Sequence, residues 1–199
     1  MKNFKLKLAA VAFILGAGGP AMAGKGGGAA KIHDAISSTS VDAIIAEVER
    51  AESLVCGECA TMIVGLTAHT SYKVREVAAW WIAKRPSLAG QLAAQFKGEL
   101  VTGTSHQVRN AADFLGASTT FTALPSLRAS IKRTDLDTEA KLAIVRAVEL
   151  LANLGGNEVL STAMADADAT VRWSAAKAWR EIRGQREAAP VANLLRDPD

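Results

Sequence analysis

The sequence predicts an all-helical fold, a right-handed α–α superhelix of about four helical-hairpin repeats with capping helices, and three observations lead there. The first is a repeat. Ser71–Pro86 (SYKVREVAAWWIAKRP), Ser105–Ser118 (SHQVRNAADFLGAS) and Asp168–Gly184 (DATVRWSAAKAWREIRG) align. Asp137–Gly156 (DTEAKLAIVRAVELLANLGG) joins them with Ala140-Lys141 at the Val-Arg position. The anchors Val74, Val108, Ala140 and Val171 are 34, 32 and 31 residues apart. The second is helical periodicity after each anchor. Val74, Val77, Ala78, Trp81 and Ile82 share a face, as do Val108, Ala111, Ala112 and Leu115. So do Ala140, Ala143, Ile144 and Ala147, and likewise Val171, Ala175, Ala178 and Ile182. The third is composition. The 199 residues are 49% apolar but only 5% aromatic, so Ala, Leu, Val and Ile must build the core, and small Ala lets helices approach closely. One short hairpin cannot bury such a stripe, and stacking on neighbours does.

The elements follow in order. Residues 1–23 read as a cleavable signal peptide: Lys2, Lys5 and Lys7, an apolar run from Leu8 to Gly18, then Ala21-Met22-Ala23. Cleavage after Ala23 implies a periplasmic or secreted protein. It also resets the charge. Lys and Arg number 23 against 20 acids, and the signal holds three lysines and no acid, so the remainder is neutral. A basic nucleic-acid-binding surface therefore has no support. Residues 24–40 read as a flexible Gly/Ser-rich leader, beginning GKGGGAA. Ser40 is a fitting N-cap for a helix from Val41, with Asp42 in its first turn. The domain then runs over 41–199: an N-terminal capping helix over 41–56, repeats over 57–188, and a C-terminal half-repeat over 189–199. Each anchor helix follows a short turn and a helix. Pro125 and Pro190 open two of those, 65 residues or about two repeats apart.

The segment Met164, Asp166, Asp168, Val171, Arg172, Ala175, Ala176, Ala178 and Trp179 resembles the HEAT-repeat family in its short, phycobilisome-lyase-like version. The first two repeats depart from that pattern at the acidic turn, with His69 and Ser71, then Gly103 and Ser105. The resemblance spans about residues 57–199 and bears on fold more than on function. It implies that the cation after each anchor (Arg75, Arg109, Lys141, Arg172) forms an internal ladder with turn acids such as Asp135, Asp137, Asp166 and Asp168. The residues alone leave open a basic stripe for an anionic ligand.

Six residues past each anchor lies a second column, Trp80, Phe114, Arg146 and Lys177, about 120° from the buried stripe. Trp173 lies nearly opposite that stripe. These five are the candidate partner-binding residues, since an unburied Trp anchors partners. The alternative is packing against the neighbouring repeat. Cys56-Gly57-Glu58-Cys59 opens a helix running toward Leu66. A disulfide is the simplest expectation in an oxidising compartment, with redox exchange and metal binding as alternatives. No second C-x-x-C completes a zinc site, and Ala60 removes the haem-attachment signature. His33, His69 and His106 are scattered, the last two read as lying in inter-helix turns.

No nucleophile elbow, phosphate loop or H-E-x-x-H occurs, so no catalytic residue, cofactor or metal is assigned. The reading is a non-enzymatic protein-binding scaffold of the cell envelope. Its rivals are a redox or chromophore-handling protein using Cys56 and Cys59, as the lyase relatives imply, and an architectural protein without a specific ligand.

Overall fold

The structure is a computed structural model that describes residues 28–54 and 56–196. The signal peptide and the start of the leader lie outside the described residues. Eleven α-helices and three 3-10 turns make up the regular structure there. They are α1 (Gly28–Ser37), α2 (Val41–Arg50), α3 (Gly57–Leu66), α4 (Tyr72–Ala83), α5 (Pro86–Thr102) and α6 (Ser105–Ala117). After them come α7 (Leu124–Ile131), α8 (Thr138–Leu151), α9 (Asn157–Ala163), α10 (Ala169–Glu181) and α11 (Ala189–Asn193). No described residue is in a strand.

Local chemistry sets the helix starts. The Ser40 side chain accepts from the Ala43 N–H to cap α2, and Thr104 and Gln107 form a reciprocal capping box on α6. Asp137 caps α8 and Asp168 caps α10. Pro86, Pro125 and Pro190 occupy the first turns of α5, α7 and α11, where a missing N–H costs nothing. Thr39, Thr119 and Ala152 take left-handed φ in the turns that close α1, α6 and α8.

The helices pack in alternation. The even-numbered helices from α2 to α10 each lie against the next, forming one layer. In the second layer α1 packs on α3, and α5, α7 and α9 pack in succession. One core runs between the layers, and all four anchors are fully buried in it with the apolar residues that share their faces. Burying those side chains, each about 1.5–3 kcal/mol for a large one, is what orders the stack.

The sequence reading needs correction at the N-terminal end. Residues 28–37 of the expected leader form α1, because Ile32 inserts into the core and Ala29, Ala35 and Ile36 pack against it. The capping helix ends at Arg50, short of residue 56. Residues 51–54 instead form a turn held by α4: the Trp81 indole N–H donates to the Ala51 carbonyl (2.8 Å), and Arg85 donates to the carbonyls of Glu52 and Leu54. At the other end, α11 has five residues and none is fully buried, with Val191 and Leu194 half-buried against the core.

Candidate functional site

The cations that follow the anchors are engaged by groups of the protein itself. Arg75 Nη1 donates to the carbonyls of His69 (2.7 Å) and Thr70 (2.8 Å), six and five residues upstream. Arg172 Nη1 repeats the pattern on Asp166 and Ala167, both at 3.0 Å. Lys141 reaches Asp166 (2.7 Å). Arg109 pairs with Glu139 in the first turn of α8 (3.0 Å), not with Asp135 or Asp137. Asp135 is held by Arg133 instead, which draws its carboxyl below the usual range.

Arg75 has a stronger partner that sequence reasoning missed. Asp113 on α6 is 0% exposed, and both its oxygens are engaged. Oδ2 accepts from Arg75 Nε (2.9 Å) and Nη2 (2.6 Å), and Oδ1 accepts from Arg146 Nη1 (2.6 Å). Two guanidinium groups balance one buried carboxylate, the arrangement that makes a buried charge tolerable. The network extends outward: Arg146 lies over the Tyr72 ring at 4.2 Å, and the Tyr72 hydroxyl donates to Glu76 (3.0 Å). Burial, then the Glu76 charge, raises the Tyr72 pKa, so the phenol stays protonated. A signal for Asp113 was present, since it is the one charged residue between Arg109 and Arg128.

The column six past the anchors does not form a continuous ridge. Phe114 is 1% exposed, and its ring lies 4.8 Å from that of Phe96. It presents no surface because α6 is enclosed by α4, α5 and α8. Arg146 is tied to Asp113, and Lys177 pairs with Glu149 (3.2 Å). Trp80 is half-buried with Lys84 over its ring at 4.4 Å, and borders a recess of about 400 Å³ with Ile45, Glu49, Lys73, Glu76 and Val77.

Trp173 is different. It is 67% exposed on α10. With Ala169, Arg172, Ala176, Val191, Leu194 and Leu195 it lines a shallow depression of about 310 Å³. Leu195 beside it is 88% exposed, so apolar side chains from two segments meet at one surface.

Cys56 and Cys59 lie at disulfide distance, 2.20 Å between sulfurs, a pairing that fits an oxidising compartment. His33 is exposed beside Asp34, and His69 Nδ1 accepts from the Ser71 N–H to cap its turn. His106 lies in the first turn of α6, not in the turn before it. Among the described residues no three His, Cys, Asp or Glu side chains converge into a ligand set. No described helix is long and apolar enough to cross a membrane. No family model, no curated protein and no solved structure matches the chain.

Proposed function

We propose that this chain is a protein-binding scaffold of the cell envelope, exported by a signal peptide cleaved after Ala23. In this reading its repeats are HEAT-like and stack as a right-handed solenoid. The observation that carries it is the exposed apolar surface around Trp173, joined by Val191, Leu194 and Leu195. Trp81 and Trp179 are buried, whereas Trp173 is left in water, and an exposed Trp is the residue type that anchors protein partners. The alternate packing of helices and the recurrence of the Arg75 and Arg172 carbonyl contacts support the repeat reading. Binding works by desolvating the indole and its leucine neighbours against a complementary apolar surface. Trp80, with Lys84 stacked on it, supplies a second, smaller contact.

Mild cross-linking of the tagged protein in its own cells, followed by mass spectrometry, tests this. We expect one stoichiometric protein, lost in the Trp173→Ala variant and weakened in Trp80→Ala. Unchanged recovery of that protein in a Trp80→Ala, Trp173→Ala double variant, or no specific protein at all, overturns the proposal.

A further inference from the structure

Cys56 and Cys59 are placed unlike a purely structural crosslink. The bond closes a loop of three-residue separation, so it removes little chain entropy compared with a bond joining distant segments. The turn it borders is held by other means. Trp81 and Arg85 fix the carbonyls of Ala51, Glu52 and Leu54, and Arg85 also lies over the Trp81 ring at 3.1 Å. Reduction therefore leaves the local fold standing.

The two sulfurs are not equivalent. Cys59 is 0% exposed, whereas Cys56 is only half-buried, so an incoming thiolate reaches Cys56. Cys56 is the N-cap of α3, and its sulfur accepts the Cys59 backbone N–H at 3.1 Å. That donor and the helix N-terminus favour a thiolate at Cys56, which stabilises the reduced form relative to the disulfide. Between α1 and α3 lies an apolar recess of about 560 Å³ lined by Ala29, Ala30, His33, Thr61, Met62 and Glu58, the last of which lies between the two cysteines in sequence. Through Glu58 the recess reaches the residues between the pair, and it gives a cysteine-bearing chain somewhere to lie.

We infer that Cys56–Cys59 is a thiol–disulfide exchange site that oxidises a dithiol on a partner polypeptide. A partner thiolate attacks Sγ of Cys56 and forms a mixed disulfide. The Cys56–Cys59 bond breaks, and its electron pair leaves on Cys59, which takes a proton. The partner's second thiol gives its proton to solvent and attacks its own sulfur in the mixed disulfide, and Cys56 departs as a thiolate. Two electrons pass from the dithiol to the pair. The inference is independent of the Trp173 surface.

The first test equilibrates the purified protein at pH 7 in about 5 mM reduced and about 0.5 mM oxidised glutathione, then alkylates and weighs it. We expect roughly half of the pair reduced. A pair that stays fully oxidised there and yields only to dithiothreitol overturns the inference. The second test offers a reduced two-cysteine peptide. The unmodified protein should oxidise it at least about tenfold faster than a Cys56→Ala, Cys59→Ala variant. Cys59→Ala, started from its glutathione adduct, should trap a single-cysteine version of the peptide on Cys56 as a mixed disulfide. Equal oxidation rates with and without the cysteines overturn the inference, and the glutathione test holds even if a variant fails to fold.

Discussion

Two neighbouring regions use glycine in opposite ways. Where α6 crosses α8, a Cβ on Gly116 would sit 2.6 Å from the Ala147 Cα, so the backbones nearly touch. In α3 and α5, Gly65, Gly90 and Gly98 have open space where a side chain would go. Between those two helices lies an apolar groove of about 440 Å³, lined by Ala60, Thr61, Val64, Leu88, Gln91, Leu92 and Gln95. The close crossing sits one turn from Asp113 and beside Arg146, so the approach that excludes water also brings Arg146 to the carboxylate. Charge is buried where packing is tightest, and the groove carries none. The contrast locates the mechanical centre of the molecule at α4, α6 and α8, and its looser side at α3 and α5.

The largest way to break that centre is Asp113→Ala. It strands Arg75, only 4% exposed, without its carboxylate, and an uncompensated buried charge costs about 3–5 kcal/mol. Arg146 is half-exposed and turns to solvent, so most of the loss belongs to Arg75. Val64→Ala, at the edge of the groove, should cost under about 1 kcal/mol. Urea unfolding of the two variants measures the difference, and equal losses would dissolve the comparison.

A gentler change separates the two regions by sign. Gly116→Ala must push α6 and α8 apart and should destabilise by about 1–3 kcal/mol. Gly98→Ala, inside α5 with nothing within 4 Å of the new methyl, should stabilise by about 0.5–1 kcal/mol through helix propensity alone. Thermal midpoints moving in opposite directions are the expected outcome.

The anchors and their faces were legible because helical burial has a period that survives in sequence. Val74, Val108, Ala140 and Val171 fall inside the core with the residues spaced three and four away. Caps were legible for the same local reason, as at Ser40 and Asp168. The site was less so. Arg75 announced itself by its column, but its partner lies 38 residues on, and the column suggested turn acids. Phe114 looked equivalent to Trp80 by position, yet α6 has helices on three sides. Equivalence along a repeat gives equal angles on a helix, not equal neighbours. α1 escaped notice because its apolar content is a few residues after a glycine run, and only the groove between α2 and α3 gives Ile32 a place to go.

The smallest effect tests whether the join from α8 to α10 depends on charge as the α6 centre does. Asp168 accepts the Thr138 hydroxyl from α8 (2.8 Å) and caps α10 through the N–H groups of Thr170 (2.8 Å) and Val171 (3.4 Å). The Thr138 bond first, then the backbone N–H of Thr170, holds its carboxyl below the ordinary value of 3.8. A carboxyl depressed in the folded chain stabilises above its unfolded pKa, and that stabilisation fades as pH falls through the lower folded value. Asp168→Asn keeps an acceptor oxygen for the cap but cannot titrate. At pH 7 it should be slightly less stable than the parent, and the gap should narrow steadily from about pH 4 downward. Urea midpoints of both proteins at pH 7 and pH 3 measure this. A gap that stays constant would mean that Asp168 serves α10 only as a neutral acceptor, leaving the buried carboxylate of Asp113 as the place where this fold depends on charge.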